Sequence, residues 1–342
     1  MTQALVTGGG GFLGKAIVKQ LIARGDTVTS FSRNHYPELD SLGIQQIIGD
    51  LRNPAAVLTA SKGMDVVFHV AAKAGVWGNA GEYHDINFHG TLHVIDACRK
   101  AGVRRLIYTS SPSVVFNGQD MAGVNESVPY ASRFHAPYPA SKALAEQAVR
   151  KASNQSLRTI SLRPHLIWGP EDTHLVPRIL SRAKQLRIVG NGQNRVDTTY
   201  IDNAANAHVL AADRLATHLA LSGSVFFISQ GEPVLLWDMI NAILAAGGHS
   251  PITSRISYRT AWAAGALMEG MYRLFRLKGE PPMTRFVANE LATSHWFDIG
   301  AAQSAIGYTP HISTQEGLQR LSQWLNPNPA KPDAGMLGCW DA

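Results

Sequence analysis

Three evenly spaced glycines stand near the start of the chain, within residues 7–14 (Thr-Gly-Gly-Gly-Gly-Phe-Leu-Gly). They follow an apolar run, 4–7, that predicts a strand, and they open a segment, 14–24, that predicts a helix. In this context Gly8 permits a tight turn, Gly11 lets the backbone approach a pyrophosphate, and Gly14 lets the helix pack closely on a sheet. The helix N-terminus faces the anion. The pattern G-x-x-G-x-x-G therefore predicts a dinucleotide-binding loop.

A phenol and an ammonium group stand four residues apart, at Tyr138 and Lys142. On a helix this spacing places both side chains on one face. A free tyrosine has a pKa near 10, and lowering it by about 3 units requires roughly 4 kcal/mol of preferential phenolate stabilisation. The Lys142 ammonium and an oxidised nicotinamide ring could supply much of that. The pair follows a strand end at residues 108–111, so it predicts proton transfer beside a hydride-carrying cofactor.

The end of the second predicted strand indicates which dinucleotide is used. Enzymes that prefer NAD usually carry an acidic residue there, which accepts a hydrogen bond from the ribose 2′-hydroxyl. This chain has Ser32 and Arg33 instead. Because arginine pairs with a 2′-phosphate through charge-assisted hydrogen bonds, the sequence predicts NADPH. Arg33 as an ordinary surface residue, with NAD as the cofactor, is the alternative.

The segments that must position these residues alternate in type over the first 165 positions. Short Val/Ile/Leu runs predict strands at 4–7, 27–32, 44–49, 66–70, 105–109 and 158–167. Helical patterns lie at 14–24, 54–61, 86–100 and 141–152, with Gly102 ending the third. Continuous apolar strands separated by helices are typical of a parallel sheet covered on both faces. We therefore predict an α/β fold with a Rossmann-type doubly wound parallel sheet.

Beyond the sheet the pattern becomes irregular, which predicts a smaller, discontinuous C-terminal substrate lobe. Residues 1–168 with about 198–240 are predicted to form the NADP-binding Rossmann domain. Residues 169–197 with 241–325 are predicted to form the lobe, because these stretches are richer in Pro, Gly, Trp and Met. Residues 326–342, with their repeated Asn-Pro, predict a flexible tail.

Composition excludes several classes of protein. The 342 residues are 45% hydrophobic and 16% charged, which is an ordinary globular composition. The net charge of +6 comes without a basic run, so it favours anionic small molecules rather than nucleic acid. Two cysteines, Cys98 and Cys339, provide no disulfide framework, and no leader pattern precedes the first strand. We expect a cytoplasmic protein.

A set of motifs beyond these resembles the extended short-chain dehydrogenase/reductases over nearly the whole chain. Besides the glycine loop and the Tyr138–Lys142 pair, the motifs are residues 49–51 (Gly-Asp-Leu), 69–72 (His-Val-Ala-Ala), Asn87 with 90–91 (Gly-Thr), 109–111 (Thr-Ser-Ser), 163–164 (Arg-Pro), 169–170 (Gly-Pro) and 200–202 (Tyr-Ile-Asp).

The resemblance implies roles for several of these residues. Asp50 and Leu51 would frame the adenine, Ala71 and Ala72 would line the cofactor, and Lys142 would hold the nicotinamide ribose. Ser111 would be the catalytic hydroxyl beside Tyr138 and Lys142. The implied cofactor-binding set comprises Gly8, Gly11, Phe12, Leu13, Gly14, Ser32, Arg33, Asp50, Leu51, Ala71, Ala72, Lys73, Thr109, Tyr138, Lys142, Pro164 and Ile167.

Within this superfamily the chain is similar to the 3β-hydroxysteroid dehydrogenase branch, and within that to bacterial ketoreductases of long-chain olefin synthesis. The local marks are residues 72–78, 111–114, 163–170 and 198–204. The resemblance implies NADPH-dependent reduction of the C3 ketone of a 2-alkyl-3-oxoalkanoate, a hydrophobic β-keto acid, to the 2-alkyl-3-hydroxyalkanoate. Two alternatives remain: a 3β-hydroxysteroid dehydrogenase using NAD(P), and a non-catalytic NADP(H)-sensing protein.

Other candidate residues carry weaker signals. His89 and His93 have i, i+4 spacing, but no third ligand lies near them in sequence, so we predict no metal site. His165, Lys73, Arg178 and Arg195 could meet a substrate carboxylate or could equally be structural or surface residues. Four tryptophans are expected in the core or in a pocket wall, namely Trp77, Trp168, Trp262 and Trp296.

Residues 260–277 predict an amphipathic helix that is too often interrupted by charge to span a membrane. We expect it to cover the substrate pocket, with a position on a membrane surface as the alternative. A contact with a membrane or with a biosynthetic complex therefore stays open. The family resemblance implies a homodimer.

Overall fold

The computed structural model describes residues 1–327, and fifteen strands and thirteen α-helices lie within them. The strands are β1 (Gln3–Thr7), β2 (Thr27–Ser32), β3 (Gln45–Ile48), β4 (Val66–His69), β5 (Arg105–Thr109), β6 (Met121–Val124), β7 (Arg158–Pro164), β8 (Ile167–Trp168), β9 (Ile188–Val189), β10 (Arg195–Val196), β11 (Thr199–Tyr200), β12 (Ser224–Ile228), β13 (Val234–Leu235), β14 (Arg255–Ile256) and β15 (His295–Phe297).

The α-helices are α1 (Phe12–Ala23), α2 (Pro37–Asp40), α3 (Pro54–Ser61), α4 (Ala80–Tyr83), α5 (Gly90–Ala101), α6 (Pro137–Ala152), α7 (Leu175–Ser181), α8 (Ile201–Thr217), α9 (Leu236–Ala246), α10 (Tyr258–Leu274), α11 (Arg285–Glu290), α12 (Gly300–Ile306) and α13 (Thr314–Leu325). A π-helix, His84–His89, runs directly into α5. Short 3₁₀ turns lie at Pro112–Val114 and Leu219–Leu221.

The central sheet has seven strands in the order β12-β7-β5-β4-β1-β2-β3. Every neighbouring pair in it is parallel. The chain leaves β1 in one direction through β2 and β3, then returns to β4 on the other side of β1. This reversal creates a crevice beyond the carboxyl ends of β1 and β4, where ligands bind in sheets of this type. The Rossmann-type fold predicted from the sequence is thus confirmed.

Two buried cores cover the two faces of this sheet. Successive strand residues point to opposite faces, so Ala4 and Val6 join the core beneath α1 and α8, whereas Leu5 joins the core beneath α3, α5 and α6. This double burial explains why the strands have continuous apolar sequences rather than alternating ones. The sheet is therefore a rigid support for the residues at its carboxyl edge.

Three local predictions differ from the structure. The strand predicted at 158–167 breaks after Pro164 and resumes at Ile167, because Leu166 has a left-handed backbone with φ of 41°. The helix predicted from residue 141 begins one turn earlier, with Pro137 at its start. The helix predicted from residue 86 is the last part of a segment that is helical without a break from Ala80, through α4 and the π-helix, into α5.

The remaining strands form smaller sheets that lie outside the central one. Their orders are β13-β10-β15-β6, β11-β8 and β14-β9. Helix α10 lies where residues 260–277 predicted an amphipathic helix. Within residues 1–327, no helix combines the length and the apolar character needed to cross a bilayer. The predicted tail lies outside the described residues from position 328 onward, and so does Cys339.

Candidate active site

A cleft of about 460 Å³ opens at the carboxyl edge of the central sheet. It is lined by residues from the glycine loop, from the ends of β2, β4, β5 and β7, and from the start of α6. Every residue predicted for catalysis or cofactor binding lines it: Gly8, Gly11, Phe12, Leu13, Gly14, Ser32, Arg33, Asp50, Leu51, Ala71, Ala72, Lys73, Thr109, Ser111, Tyr138, Lys142, Pro164 and Ile167. Parallel strands bring these distant segments together because their carboxyl ends meet at one edge.

The glycine loop has the geometry of a pyrophosphate cradle. Gly8 has a φ of 73°, which a side chain would strain, and its carbonyl accepts a hydrogen bond from Gly11 N at 2.9 Å. A Cβ on Gly14 would lie 2.0 Å from Gly8 O, so only glycine lets α1 approach the loop this closely. Helix α1 begins at Phe12, and its free N–H groups face the cleft. The loop thus fits a bound dinucleotide.

Arg33 and Asp50 lie at the end of the cleft beyond β2 and β3. Arg33 is exposed, and its charge is one of the influences that lower the Asp50 pKa. The main cause of that lowering is Arg52, whose side chain donates to Asp50 at 2.6 and 3.0 Å. The Asp50 carboxylate is therefore already paired, and the Arg33 guanidinium stays exposed beside the cleft.

A buried polar chain holds the backbone that follows β4. Thr91 Oγ1 donates to Asn87 O at 2.6 Å, so it accepts from His69 Nε2 at 3.0 Å. The other ring nitrogen of His69 accepts from Thr7 Oγ1 at 2.8 Å, because burial lowers the His69 pKa to about 3 and keeps the ring neutral. Thr7 Oγ1 also accepts from Ala71 N at 3.3 Å. The segment that lines the cleft is thus fixed from beneath.

Asn87 ties this segment to the helix that carries Tyr138. Its Oδ1 accepts from Lys73 N at 2.7 Å, and its Nδ2 donates to Ser141 Oγ at 3.0 Å. Ser141 Oγ in turn donates to Tyr138 O at 2.9 Å. Asn87 sits in the π-helix, a type of local widening that is frequent at functional sites. From the sequence Asn87 is predicted only as part of a motif, and these hydrogen bonds give it a structural role at the site.

Tyr138 lies at the N-terminal end of α6, beside Ser111. Burial is the largest influence on its pKa and raises it, while hydrogen bonding to Ser111 lowers it. The charge of Glu290 raises it further. The net direction is upward, so in the protein without ligands Tyr138 is a protonated phenol. Ser111 Oγ is also 2.9 Å from Ser113 Oγ, which orients it at the strand end.

Lys142 lies one turn further along α6 and is fully buried. Its Nζ donates to Thr109 O at 2.5 Å and lies 4.2 Å from the centre of the Tyr108 ring. Burial lowers its pKa to about 7, and the Glu146 carboxylate opposes that shift. The ammonium is therefore anchored to the end of β5, a contact that helical spacing alone could not predict.

Glu146 belongs to a second buried pair on α6. Its carboxylate accepts from Arg163 Nε at 2.9 Å and from Arg163 Nη2 at 2.6 Å, and both side chains are almost fully buried. Tyr130 Oη donates to it at 2.7 Å. These bonds keep the Glu146 pKa below its usual range despite burial. The pair locks α6 against β7 and leaves a negative charge one turn from Lys142.

An apolar cavity of about 450 Å³ adjoins the cleft. Leu166 lines both, so its side chain lies at the boundary between the cavity and the cleft. Its wall is built mainly from aliphatic side chains of α7, α9 and α10, and its other lining residues include Val76, Trp168, Met239, Ile240, Met268 and Met283. A cavity of this size and chemistry suits a ligand with long hydrocarbon portions.

One carboxyl group interrupts this apolar wall. Glu290, the last residue of α11, lines the cavity, and burial raises its pKa to about 7. The positive charges of His165 and Arg178 oppose the shift. Glu290 also influences the Tyr138 pKa, so its charge reaches the reacting end of the site. No sequence motif marks Glu290, and more than 150 residues separate it from Tyr138, so its place in the site could not be predicted.

His165 belongs to a buried chain of hydrogen bonds rather than to an open anion site. Its Nδ1 is 2.6 Å from Asp197 Oδ1, its Nε2 is 3.1 Å from His295 Nδ1, and His295 Nε2 is 2.9 Å from Glu290 O. These contacts join two imidazole rings, one carboxylate and one backbone carbonyl in a single buried chain. Burial lowers the His295 pKa to about 4.

The other carboxylate-binding candidates divide between the two pockets and the surface. Lys73 lines the cofactor cleft and pairs with Glu82 at 3.1 Å. Arg178 lines the apolar cavity and pairs with Glu280 at 2.5 Å. Arg195 is exposed, donates to Pro233 O at 2.9 Å, and lines neither pocket.

The histidines considered for metal binding are not paired as their spacing suggested. His93 Nδ1 is 2.7 Å from Leu51 O, away from His89. His89 instead lies beside His84 and Asp85, and their candidate ligand atoms are within 4.8 Å of one another on a largely exposed stretch. The π-helix brings residues five apart together, which i, i+4 reasoning did not consider.

The four tryptophans occupy different environments. Trp168 is fully buried in the cavity wall and donates to Thr198 Oγ1 at 2.9 Å. Trp77 packs edge-on against Tyr272 of α10. Trp296 is half-buried in β15, and Trp262 is 40% exposed. Trp262 was expected in the core or a pocket wall, but it lies at the edge of the packed side of α10, where the Arg285 guanidinium is 5.7 Å from the centre of its ring.

Comparison with known proteins identifies relatives along most of the chain. The family model described as "3-beta hydroxysteroid dehydrogenase/isomerase family" matches residues 5–257. A 2-alkyl-3-oxoalkanoate reductase from Stenotrophomonas maltophilia is 51% identical over 93% of this chain and 97% of the relative. A protein of the same name from Shewanella oneidensis is 50% identical over 95% of this chain and 87% of the relative. A mouse decarboxylating sterol-4-alpha-carboxylate 3-dehydrogenase is 35% identical over 93% and 89%.

Solved structures resemble the fold as well. MoeE5 in complex with UDP-glucose and NAD superposes with a TM-score of 0.72 and 24% identity. The match covers 95% of this chain and 99% of that one. At this level of identity the likeness concerns the fold alone.

Proposed function

The chain belongs to the 3-beta hydroxysteroid dehydrogenase/isomerase family, and from that premise we propose that it reduces the C3 ketone of a 2-alkyl-3-oxoalkanoate with NADPH. As a member of this family it is an oxidoreductase that uses a nicotinamide cofactor. The observation that carries the proposal is a large apolar cavity beside the cleft that contains Tyr138, with Leu166 lining both. Two hydrocarbon chains flanking a ketone match this arrangement.

The residues of the chain divide the chemistry between them. Tyr138 would donate its phenolic proton to the carbonyl oxygen, and Ser111 would donate a hydrogen bond to the same oxygen as negative charge develops. Lys142, anchored on Thr109 O, would stabilise the resulting phenolate and hold the nicotinamide ribose. When bound, the reduced nicotinamide supplies the hydride that reaches C3. The ketone thereby gains one hydride and one proton and becomes the alcohol.

The residues of the cleft also support a choice of cofactor. The loop that contains Gly8, Gly11 and Gly14 would hold the pyrophosphate, while Phe12 and Leu13 open the helix above it. Asp50 and Leu51 would frame the adenine. Ser32 and exposed Arg33 would meet a 2′-phosphate, which a carboxylate at that place would repel. We therefore propose NADP(H) rather than NAD(H).

Several further features are part of the same proposal. The Rossmann domain would comprise residues 1–168 with about 198–240, since β12 completes the central sheet and α8 packs on α1. Residues 169–197 with 241–325 would form the substrate lobe, which supplies most of the cavity wall. A cytoplasmic location and a homodimer stay predictions.

A substrate comparison tests the function. Purified protein with NADPH is offered a 2-alkyl-3-oxo acid and, separately, a 3-oxosteroid, and loss of the NADPH absorbance band is followed. We expect turnover with the oxo acid and at least a tenfold lower kcat/KM with the steroid. The reverse preference would favour the sterol activity carried by the mouse relative's name. NADPH binding without turnover of either ketone would favour a cofactor sensor.

A further inference from the structure

Helix α10 has an apolar face on its solvent side as well as on its packed side. Ala261, Gly265 and Glu269 are buried, so one stripe of the helix faces the protein. Leu267 is two residues from Gly265, which places it about 200° round the helix, on the opposite side. Leu267, Met271 and Leu274 follow at i, i+4 and i+7, and they are 66%, 45% and 77% exposed. The outward side of a surface helix is ordinarily polar.

This outward stripe belongs to a larger concentration of exposed hydrophobic side chains. Twelve large ones are exposed among residues 1–327, and seven of these lie between positions 258 and 277. Phe275 and Leu277 extend the stripe beyond the end of α10 and are 63% and 46% exposed. We call residues 258–278 the α10 patch. A contiguous apolar patch of this kind marks an interaction site.

Charge identifies the chemistry of the partner. The α10 patch contains four basic residues and one acidic residue, Glu269, which is buried and paired with Arg285 at 2.7 Å. Arg259, Arg276 and Lys278 are exposed, and none of them forms an ion pair within residues 1–327. Exposed leucine and phenylalanine flanked by basic side chains are characteristic of helices that lie on anionic bilayers.

A second copy of the chain, docked through its own α10 patch, fits these charges less well than an anionic surface does. A twofold symmetric contact would place each patch against itself, so the unpaired arginines and lysine would oppose like charges. An anionic surface neutralises them instead. The inner side of α10 also favours a lipid surface as the partner, because Ala261, Ala264 and Met268 line the apolar cavity. One helix therefore separates the outward stripe from the cavity.

We propose that the α10 patch docks the protein on the surface of an anionic lipid bilayer, with Leu267, Met271, Leu274 and Phe275 entering the interface and Arg259, Arg276 and Lys278 contacting lipid phosphates. This inference depends on the surface alone, so it holds or fails independently of the proposed reaction.

Vesicle co-sedimentation tests the proposal with the full chain. Vesicles of phosphatidylcholine are compared with vesicles in which part of the phosphatidylcholine is replaced by phosphatidylglycerol, at low and at high salt. We expect binding to the anionic vesicles and weakening at high salt. Replacing Arg259, Arg276 and Lys278 by Gln should lower the partition coefficient on the order of a hundredfold, since each basic residue contributes about fivefold. Replacing Lys62, Arg133 and Lys151 by Gln, with the same change in net charge, should lower it much less.

Two matched leucine variants test the apolar contribution to vesicle binding. L274S should weaken binding on the order of tenfold, whereas L219S, at a leucine that is 60% exposed elsewhere, should leave it unchanged. Sedimentation velocity of L274S and of the unaltered protein tests whether a second copy of the chain occupies the α10 patch instead. A self-association that L274S abolishes, without vesicle binding, would assign the patch to a second copy and overturn the proposal. Equal binding by the two leucine variants, or no preference for anionic vesicles, would overturn it too.

Discussion

Ionisation of Glu290 should set the upper pH limit for binding of an acidic substrate. Glu290 lines the apolar cavity, and its charge raises the Tyr138 pKa. Burial raises the pKa of Glu290 itself to about 7, with His165 and Arg178 opposing the shift. Below pH 7 the group is a neutral carboxyl that can donate a hydrogen bond to a substrate carboxylate. Above pH 7 the Glu290 side chain is an anion that repels the substrate carboxylate. If only the protonated form binds, its fraction falls about tenfold between pH 6 and pH 8, and the apparent KM rises by the same factor.

The assay measures KM from pH 6 to pH 8 for a 2-alkyl-3-oxo acid and for its methyl ester. In the unaltered protein the acid should show the tenfold rise, while the uncharged ester should show little. In E290Q the rise with the acid should disappear, because the amide cannot ionise. A rise of equal size with the ester, or one that persists in E290Q, would refute the reasoning.

Stability supplies an independent readout of the same group. The folded pKa of about 7 lies above the ordinary value of 4.5, so the fold disfavours the ionised form. The contribution of this carboxyl to the free energy of unfolding is fully present below about pH 4.5. As the pH rises through 7, up to about 3 kcal/mol of that contribution is lost. E290Q should therefore unfold at a higher denaturant concentration than the unaltered protein at pH 8, and the difference should shrink at pH 5. A constant difference across this range would contradict the assigned pKa.

Three further variants test separate parts of the site. Arg33→Ala should lower the ratio of kcat/KM for NADPH over NADH by at least tenfold, because a charge-assisted contact with the 2′-phosphate is lost; an unchanged ratio would contradict the role of Arg33. Gly14→Ala should abolish dinucleotide binding or destabilise the fold, since its Cβ would lie 2.0 Å from Gly8 O. Gly270→Ala, with open space around it, should be tolerated. Equal results for these two variants in cofactor titration and thermal melting would refute the close approach of α1 to the loop. Glu146→Gln should cost about 3–5 kcal/mol in denaturant unfolding by leaving Arg163 buried without its counter-ion, whereas Glu316→Gln, at an exposed pair with Arg320, should cost under about 1 kcal/mol.

The residues that line the cleft could be predicted because local sequence determines their positions. The glycine loop, the strand ends and the Tyr138–Lys142 spacing each signal their position within a few residues, and the parallel sheet then gathers them at one edge. The bounds predicted for β5 and α3 match the structure. Such elements have apolar runs and capping residues of their own, and Asn53 caps α3 in this way.

The apolar cavity and the buried polar chain beside it could not be predicted, because tertiary packing assembles them from distant segments. Asp197, His165 and His295 are each unremarkable in sequence, yet they form one hydrogen-bonded chain that ends on Glu290 O. Glu290 has its raised pKa only because apolar residues from other elements surround it. The contact of Lys142 with Thr109 O likewise depends on how α6 meets β5 rather than on helical spacing.

The central claim is that Tyr138 donates the proton that completes ketone reduction, and one variant tests it most directly. Y138F is compared with the unaltered protein in the NADPH absorbance assay with a 2-alkyl-3-oxo acid, after fluorescence titration has established that both bind NADPH with equal affinity. We predict that Y138F loses turnover by at least a hundredfold, the low end of what a positioned general acid contributes. Turnover by Y138F at a rate near that of the unaltered protein would contradict the mechanism.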